Sequence, residues 1–218
     1  MVMKRLFDIV VSFCGVIVIS PLLAALAVWI ILDSPGPVFY RGLRAGRCGR
    51  PFRIYKLRTM ARNAEQTGGA ETPADDPRIT RAGHFLRKYK LDELPQLINV
   101  LRGEMSLVGP RPEVMDEVML YTTDEMELLL VRPGITDWAS VKFRDEDEML
   151  RGSADPHGTY HELIRPEKVR LGLKYVQDHS FFTDLYILFR TFLAVLTPVE
   201  RHQARARTAS YDYEKSRQ

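Results

Sequence analysis

Asp92 and Glu93 form an adjacent acid pair set among cations: Arg87, Lys88 and Lys90 precede it, and Arg102 and Arg111 follow. Carboxylates in so basic a setting can hold a divalent metal and phosphates together, with Asp92 and Glu93 as the metal's protein ligands. Asp92 also suits a simpler task, that of a helix N-cap, which aspartate often fills. The arginines and lysines on both sides favour a phosphate site, without naming a reaction.

The elements that must position these groups are legible in residues 86–112, LRKYKLDELPQLINVLRGEMSLVGPRP. Leu94, Leu97, Ile98 and Leu101 recur at helical spacing, which predicts a helix over 93–102. Pro95 fits only near its start, where a missing N–H costs nothing. Asp92 and Glu93 then lie at the helix N-terminus, where orphan N–H groups and the positive dipole end favour anions. Gly103 is the expected stop. The stretch SLVGPRP then aims Arg111 from a stiff turn.

At 218 residues the chain has room for one good-sized domain or two small ones. A hydrophobic content of 45% and a net charge of +3 describe an ordinary folded protein, not a disordered or strongly nucleic-acid-binding one. Cys14 and Cys48 give neither a disulfide framework nor metal spacing, so a reducing compartment is expected.

Residues 9–32 are almost entirely apolar, longer than the roughly 20 residues that span a bilayer. No small-residue cleavage site follows, which argues against a removed signal peptide. Lys4 and Arg5 precede this run, and Arg41, Arg44, Arg47, Arg50 and Arg53 follow it. The positive-inside rule then claims both ends for the cytoplasmic side. A helix that bends back within the membrane satisfies it at both ends, whereas a one-pass anchor violates it at one. Pro21 lies near mid-run, where it removes a hydrogen bond and kinks the helix, and Ser20 can bond the freed carbonyl. The expectation over 1–36 is a re-entrant helix–break–helix, with Asp8 paired to Lys4 or Arg5.

Residues 33–37 read as a turn, and 38–40 and 52–56 as two short strands of a hairpin. The intervening arginines suit anionic lipid headgroups. Lys56 and Arg58 are candidate phosphate contacts. Residues 63–75 are polar and Gly-rich, a loop placed where a lid over a ligand could lie. Residues 114–130 read as one acidic helix. Residues 145–148 read as an acidic surface run. His157 and His161 have a metal-compatible spacing but no evident third ligand. Residues 184–196 read as a core or interfacial helix, and 201–218 as a disordered basic tail.

Several stretches occur in order: KRLFD at 4–8, the Ser20-Pro21 break, KLRTM at 56–60, DDPRIT at 75–80, LDELPQLINVLRGEMSLVGPRP at 91–112 and RPGIT at 132–136. Together they resemble the bacterial sugar transferase family, the monotopic phosphoglycosyl transferases, over residues 4–197. The chain looks like the minimal form, lacking the extra transmembrane helices and regulatory domain of larger members. The resemblance implies transfer of a phosphosugar from a UDP-sugar to undecaprenyl phosphate with release of UMP. This would be the first membrane step of cell-surface polysaccharide or glycoconjugate synthesis, at the cytoplasmic face of the bacterial inner membrane. By resemblance Asp92 is the nucleophile and carries a phosphosugar intermediate, which gives ping-pong kinetics. Glu93 is a base or metal-shell partner, and Mg²⁺ beside Asp92 neutralises the diphosphate. Arg111 holds a phosphate with its planar fork, and Arg87 and Lys56 match further basic positions. Many members carry an acid where this chain has Gly172, ahead of Tyr175-Val176.

The expected fold class is helix-rich α+β. It comprises the re-entrant membrane helix, a cytoplasmic catalytic domain over 37–200 with interfacial amphipathic helices, and the tail. The expected partners are a UDP-sugar, undecaprenyl phosphate and the phospholipid bilayer, with no nucleic acid. A homodimer, the sugar and the glycan pathway are left open by the sequence. Two rival readings stand beside this one. A hydrolase or exchange enzyme would act on a polyprenyl-linked phosphate through the same Asp92 site. A membrane-anchored scaffold would use the arginines to bind anionic lipid or nucleic acid, but no nucleic-acid motif accompanies them.

Overall fold

A computed structural model describes residues 2–64 and 72–196. The chain runs α1 (Val2–Asp33), β1 (Phe39–Tyr40), β2 (Leu43–Ala45), β3 (Pro51–Arg53), β4 (Lys56–Leu57), α2 (Arg81–Lys88), α3 (Gln96–Arg102) and β5 (Ser106–Val108). It continues through α4 (Met115–Met119), β6 (Gly134–Thr136), α5 (Trp138–Lys142), α6 (Glu146–Met149), α7 (Pro156–Thr159), α8 (Arg165–Asp178) and α9 (Phe181–Leu196). The class is helix-rich α+β, as expected. Residues 65–71 of the expected loop and the whole of the expected tail lie outside the described residues.

α1 is long and apolar enough to cross a membrane. It is continuous through Pro21, so the expected interruption is a replaced hydrogen bond and not a gap. Ser20 Oγ donates to the Ile17 carbonyl at 2.8 Å, the acceptor that Pro21 cannot serve. One stripe, carrying Asp8, Ser12, Leu26 and Ile30, is buried against the rest of the chain. The opposite face exposes Val10, Phe13, Ile17, Val18, Val28 and Ile31.

Both ends of α1 are tied to the same body. At the foot, Lys4 Nζ pairs with Asp184 at 2.5 Å and donates to the Val108 carbonyl at 3.1 Å. Asp8 does not pair with Lys4 or Arg5 as expected. It accepts from Ser106 Oγ at 2.8 Å and from the Leu107 N–H at 3.3 Å, because β5 runs beneath it with donors to spare. At the head, Leu26 and Ile30 pack on Leu57, Ala82 and Leu86. Asp33 there accepts from the Ala82 N–H at 3.0 Å and so caps α2 together with Thr80.

The strands are short. β1 pairs with β4, and β2 with β3, both antiparallel, so the expected hairpin exists in two tiers. β5 and β6 are parallel neighbours. The single helix expected over 114–130 is instead α4 followed by a separate 3₁₀ turn, Glu125–Leu130. A capping box divides them. Thr122 Oγ1 accepts from the Glu125 N–H at 3.3 Å, and the Glu125 carboxylate accepts from the Thr122 N–H at 2.8 Å.

Candidate functional site

The acid pair sits on a 3₁₀ turn, Leu91–Glu93, entered through Lys90 in the left-handed conformation, φ 55°. α3 begins only at Gln96, just after Pro95, and stops at Gly103, whose φ of 82° suits glycine. Buried Asn99 on α3 fixes what faces the pair. Its Oδ1 accepts from the Tyr55 N–H at 2.8 Å and its Nδ2 donates to the Arg53 carbonyl at 2.9 Å. This seats the β3–β4 connection on α3 and delivers Lys56 to the acids.

Arg111 arrives from the other side. Gly109, directly after β5, donates to the Thr136 carbonyl at 3.0 Å, and the Gly134 N–H donates to the Pro110 carbonyl at 2.9 Å. A Cβ on Gly109 would fall 2.4 Å from the Arg132 carbonyl oxygen, so only glycine lets the two turns lie this close. These two bonds hold the turn, and Arg111 leaves it toward Glu93.

The two carboxylates have opposite fates. Glu93 is held bidentately by Arg111, with Nη1 to Oε2 at 3.1 Å and Nη2 to Oε1, and Lys56 Nζ adds 2.8 Å to Oε1. Burial works against its charge, but Arg111 and Lys56 outweigh it and hold the carboxyl well below the usual range. Asp92 is 6% exposed. Lys56 Nζ stands 3.6 Å from Oδ2, an ion pair without a hydrogen bond, and Oδ1 has no hydrogen-bond partner among the described residues. Burial, reinforced by the Glu93 charge, pushes this carboxyl above its ordinary value, while Lys56 draws it back. Arg87 presents a second buried orphan, Nη1. Asp92, Glu93, Lys56, Arg87 and Arg111 all line one cavity of about 1440 Å³.

Arg58 also borders this cavity, but its guanidinium is engaged elsewhere. Its guanidinium donates to the Ser34, Pro35 and Ile30 carbonyls at the end of α1, the last two at 3.0 and 3.4 Å. A helix C-terminus leaves such carbonyls without donors, and Arg58 satisfies them. Asp184, which carried no expected role, is a structural anion for Lys4 and for the Tyr175 hydroxyl, 2.7 Å away. Gly172 is buried against Leu128. A Cβ there would lie 2.7 Å from Leu128 Cδ2, so leucine fills the space that a side chain at 172 would need.

Among the described residues no group of three or more His, Cys, Asp or Glu converges as a metal site. The unpartnered oxygen of Asp92 still fits Mg²⁺, which keeps several waters and takes one or two carboxylates with substrate phosphates. Both Glu93 oxygens are already bonded to cations, so Asp92 suits a metal better than Glu93 does.

A family model described as "Bacterial sugar transferase" matches residues 1–198. A UDP-N-acetylgalactosamine-undecaprenyl-phosphate N-acetylgalactosaminephosphotransferase of Aeromonas hydrophila is 39% identical, over 89% of this chain and 44% of its own length. A UDP-glucose:undecaprenyl-phosphate glucose-1-phosphate transferase of Caulobacter vibrioides is 39% identical, over 89% of this chain and 70% of its own. The exopolysaccharide production protein PSS of Rhizobium leguminosarum is 38% identical, over 90% of this chain and 96% of its own. The chain thus spans less than half of the first relative and nearly all of the third. It belongs to the bacterial sugar transferase family.

Proposed function

We propose that this chain transfers a sugar-1-phosphate from a UDP-sugar to undecaprenyl phosphate, leaving UMP and undecaprenyl-diphosphate-sugar. The named activities of the relatives support the reaction class. The observation that carries the residue assignment is Asp92: a buried carboxylate with one oxygen unbonded, in a cavity walled by Lys56, Arg87 and Arg111.

In the reaction, Asp92 Oδ1 attacks the β-phosphorus, and the bond from that phosphorus to the bridging oxygen breaks as UMP departs. An oxygen of the lipid phosphate then attacks the same phosphorus and the bond to Asp92 breaks, restoring the carboxylate. The site serves both steps. Desolvation makes Asp92 a stronger nucleophile than a hydrated aspartate, and Lys56 keeps its charged form accessible. Arg87 offers a buried N–H to a phosphate oxygen that has no competing partner. Glu93 aims Arg111 by its bidentate grip, leaving the remaining guanidinium N–H groups for the diphosphate. Mg²⁺ carried on the donor's phosphates beside Asp92 would supply neutralisation of the charge on the leaving UMP.

The way α1 joins the body supports a re-entrant placement. Both of its ends are bonded to the body that carries the cavity, which a helix crossing the whole bilayer away from that body would not allow. In this reading the helix enters and leaves one leaflet, its apolar face in the acyl region and Lys4 and Arg5 at the cytoplasmic headgroups. α9 exposes Phe182, Phe189, Phe192 and Leu196 and lies in the same interface. Asp92 then sits at the plane where a lipid phosphate and a soluble nucleotide meet.

The test is UMP release by membrane-inserted protein with Mg²⁺, undecaprenyl phosphate and a panel of UDP-sugars. Multiple-turnover release that needs both substrates and is lost in Asp92→Asn supports the reading. Release without the lipid acceptor at every turnover would point to a hydrolase.

A further inference from the structure

The cavity continues past Arg111 over Glu113, Tyr121, Tyr160 and Lys168. This part differs in chemistry from the basic wall around Asp92. The Arg111 pKa is raised first by Glu93 and further by Glu146 and Glu113, so these acids lie within electrostatic reach of the phosphate-binding arginine. The Glu113 carboxylate makes no hydrogen bond or ion pair among the described residues, and burial pushes it up from its ordinary value.

Tyr160 is only 8% exposed, with its ring packed on Ala139, Phe143, Leu150 and Ile164. Its hydroxyl, like that of Tyr121, has no hydrogen-bond partner among the described residues. Tyr160 also opens a π-helical turn, Tyr160–Ile164, a rare conformation that recurs at functional sites. Lys168 Nζ lies 4.9 Å from the Tyr160 ring centre and pairs with Glu146 at 2.5 Å.

We propose that Glu113, Tyr121 and Tyr160 form the pocket for the sugar of the nucleotide donor and select a neutral, hydroxyl-rich hexose over a uronic acid. The inference rests on the transferase reading above. A carboxylate accepts from sugar hydroxyls, and phenolic hydroxyls donate or accept. These are the groups the pocket holds unbonded, and a site built to hydrogen-bond a hydroxyl discriminates strongly against donors that leave it unpaired. A uronate carboxylate would meet Glu113 and Glu146, while the neighbouring cation Lys168 is already paired with Glu146 at 2.5 Å. The ribose of uridine shares the diol chemistry, so the test must separate the two rings.

Asp92→Asn protein, full chain in nanodiscs, binds donor without turning it over. Calorimetry would compare UMP, UDP-glucose, UDP-galactose, their N-acetylamino counterparts and UDP-glucuronate. The expected result is a neutral donor binding at least about tenfold tighter than UDP-glucuronate. Adding Glu113→Gln weakens that donor by about tenfold, leaves UMP within about twofold and narrows the gap to UDP-glucuronate. Adding Tyr160→Phe, which keeps the ring and the packing, weakens the donor about fivefold with UMP again unchanged. Equal loss of UMP and donor would assign these groups to ribose and overturn the proposal, as would donor preference that ignores both substitutions. Either result would leave the transferase reading standing, whereas absent UMP release by wild-type protein would strike that reading alone.

Discussion

Two buried carboxylate–cation clusters, one at the foot of α1 and one in the cavity, differ in how their acids are partnered. At the foot, both oxygens of Asp184 are bonded, to Lys4 and to the Tyr175 hydroxyl, and both oxygens of Asp8 are bonded, to Ser106 and the Leu107 N–H. In the cavity, Asp92 keeps an oxygen, and Arg87 a nitrogen, with no partner among the described residues. Similar residue types have thus been put to different ends. Satisfied acids join α1 to the body, while an acid left with an unpartnered oxygen lines the cavity at a cost to stability.

Breaking that comparison at its strongest point means Asp92→Asn. UMP release should fall more than about a thousandfold, while the thermal midpoint stays level or rises, because a buried, underpartnered charge is removed. Loss of stability together with activity would contradict the contrast. At the foot the opposite is expected. Asp184→Ala strips Lys4, whose side chain is 25% exposed, and the Tyr175 hydroxyl of their partner. It should destabilise the fold by about 3 kcal/mol, read as a shifted midpoint in denaturant.

Within the cavity, Arg111→Lys keeps the charge but loses the bidentate grip on Glu93. Turnover should drop by about tenfold to a hundredfold with a folded protein, checked by steady-state kinetics.

The smallest effect sharpens the comparison within the acid pair itself. The folded Asp92 pKa lies above the ordinary 3.8, so this group favours folding below that value and loses the contribution as pH rises through the folded pKa. Glu93 is lowered below the ordinary 4.5, so its contribution is present above 4.5 and lost as pH falls through the folded pKa. Melting across pH should show Asp92→Asn gaining over wild type near neutrality and converging with it below about pH 3.8. Glu93→Gln should lose near neutrality and converge in acid. Parallel curves for the two variants would refute the assigned directions.

Much of this was legible in the sequence because it is local. The spacing of Leu94, Leu97 and Leu101, the stop at Gly103 and the replacement bond from Ser20 to Ile17 are short-range matters. The capping box Thr122-Thr123-Asp124-Glu125 that divides 114–130 was equally local, and a reading by acidic content alone passes over it. Long-range pairings had no such signal. Lys4 meets Asp184 from the far end of the chain, Asp8 meets Ser106, and Arg58 commits its guanidinium to the Ser34 carbonyl. The unbonded Tyr160 and Glu113 emerge only when the cavity's two halves are brought together around Arg111.

The central claim is that Asp92 carries the phosphosugar. Its most direct test is the intact mass of the protein after exposure to Mg²⁺ and a UDP-sugar without lipid acceptor. A gain of one phosphosugar is expected, absent in Asp92→Asn and discharged on adding undecaprenyl phosphate. Turnover in the presence of both substrates with no mass gain, or a gain that persists in Asp92→Asn, would contradict it.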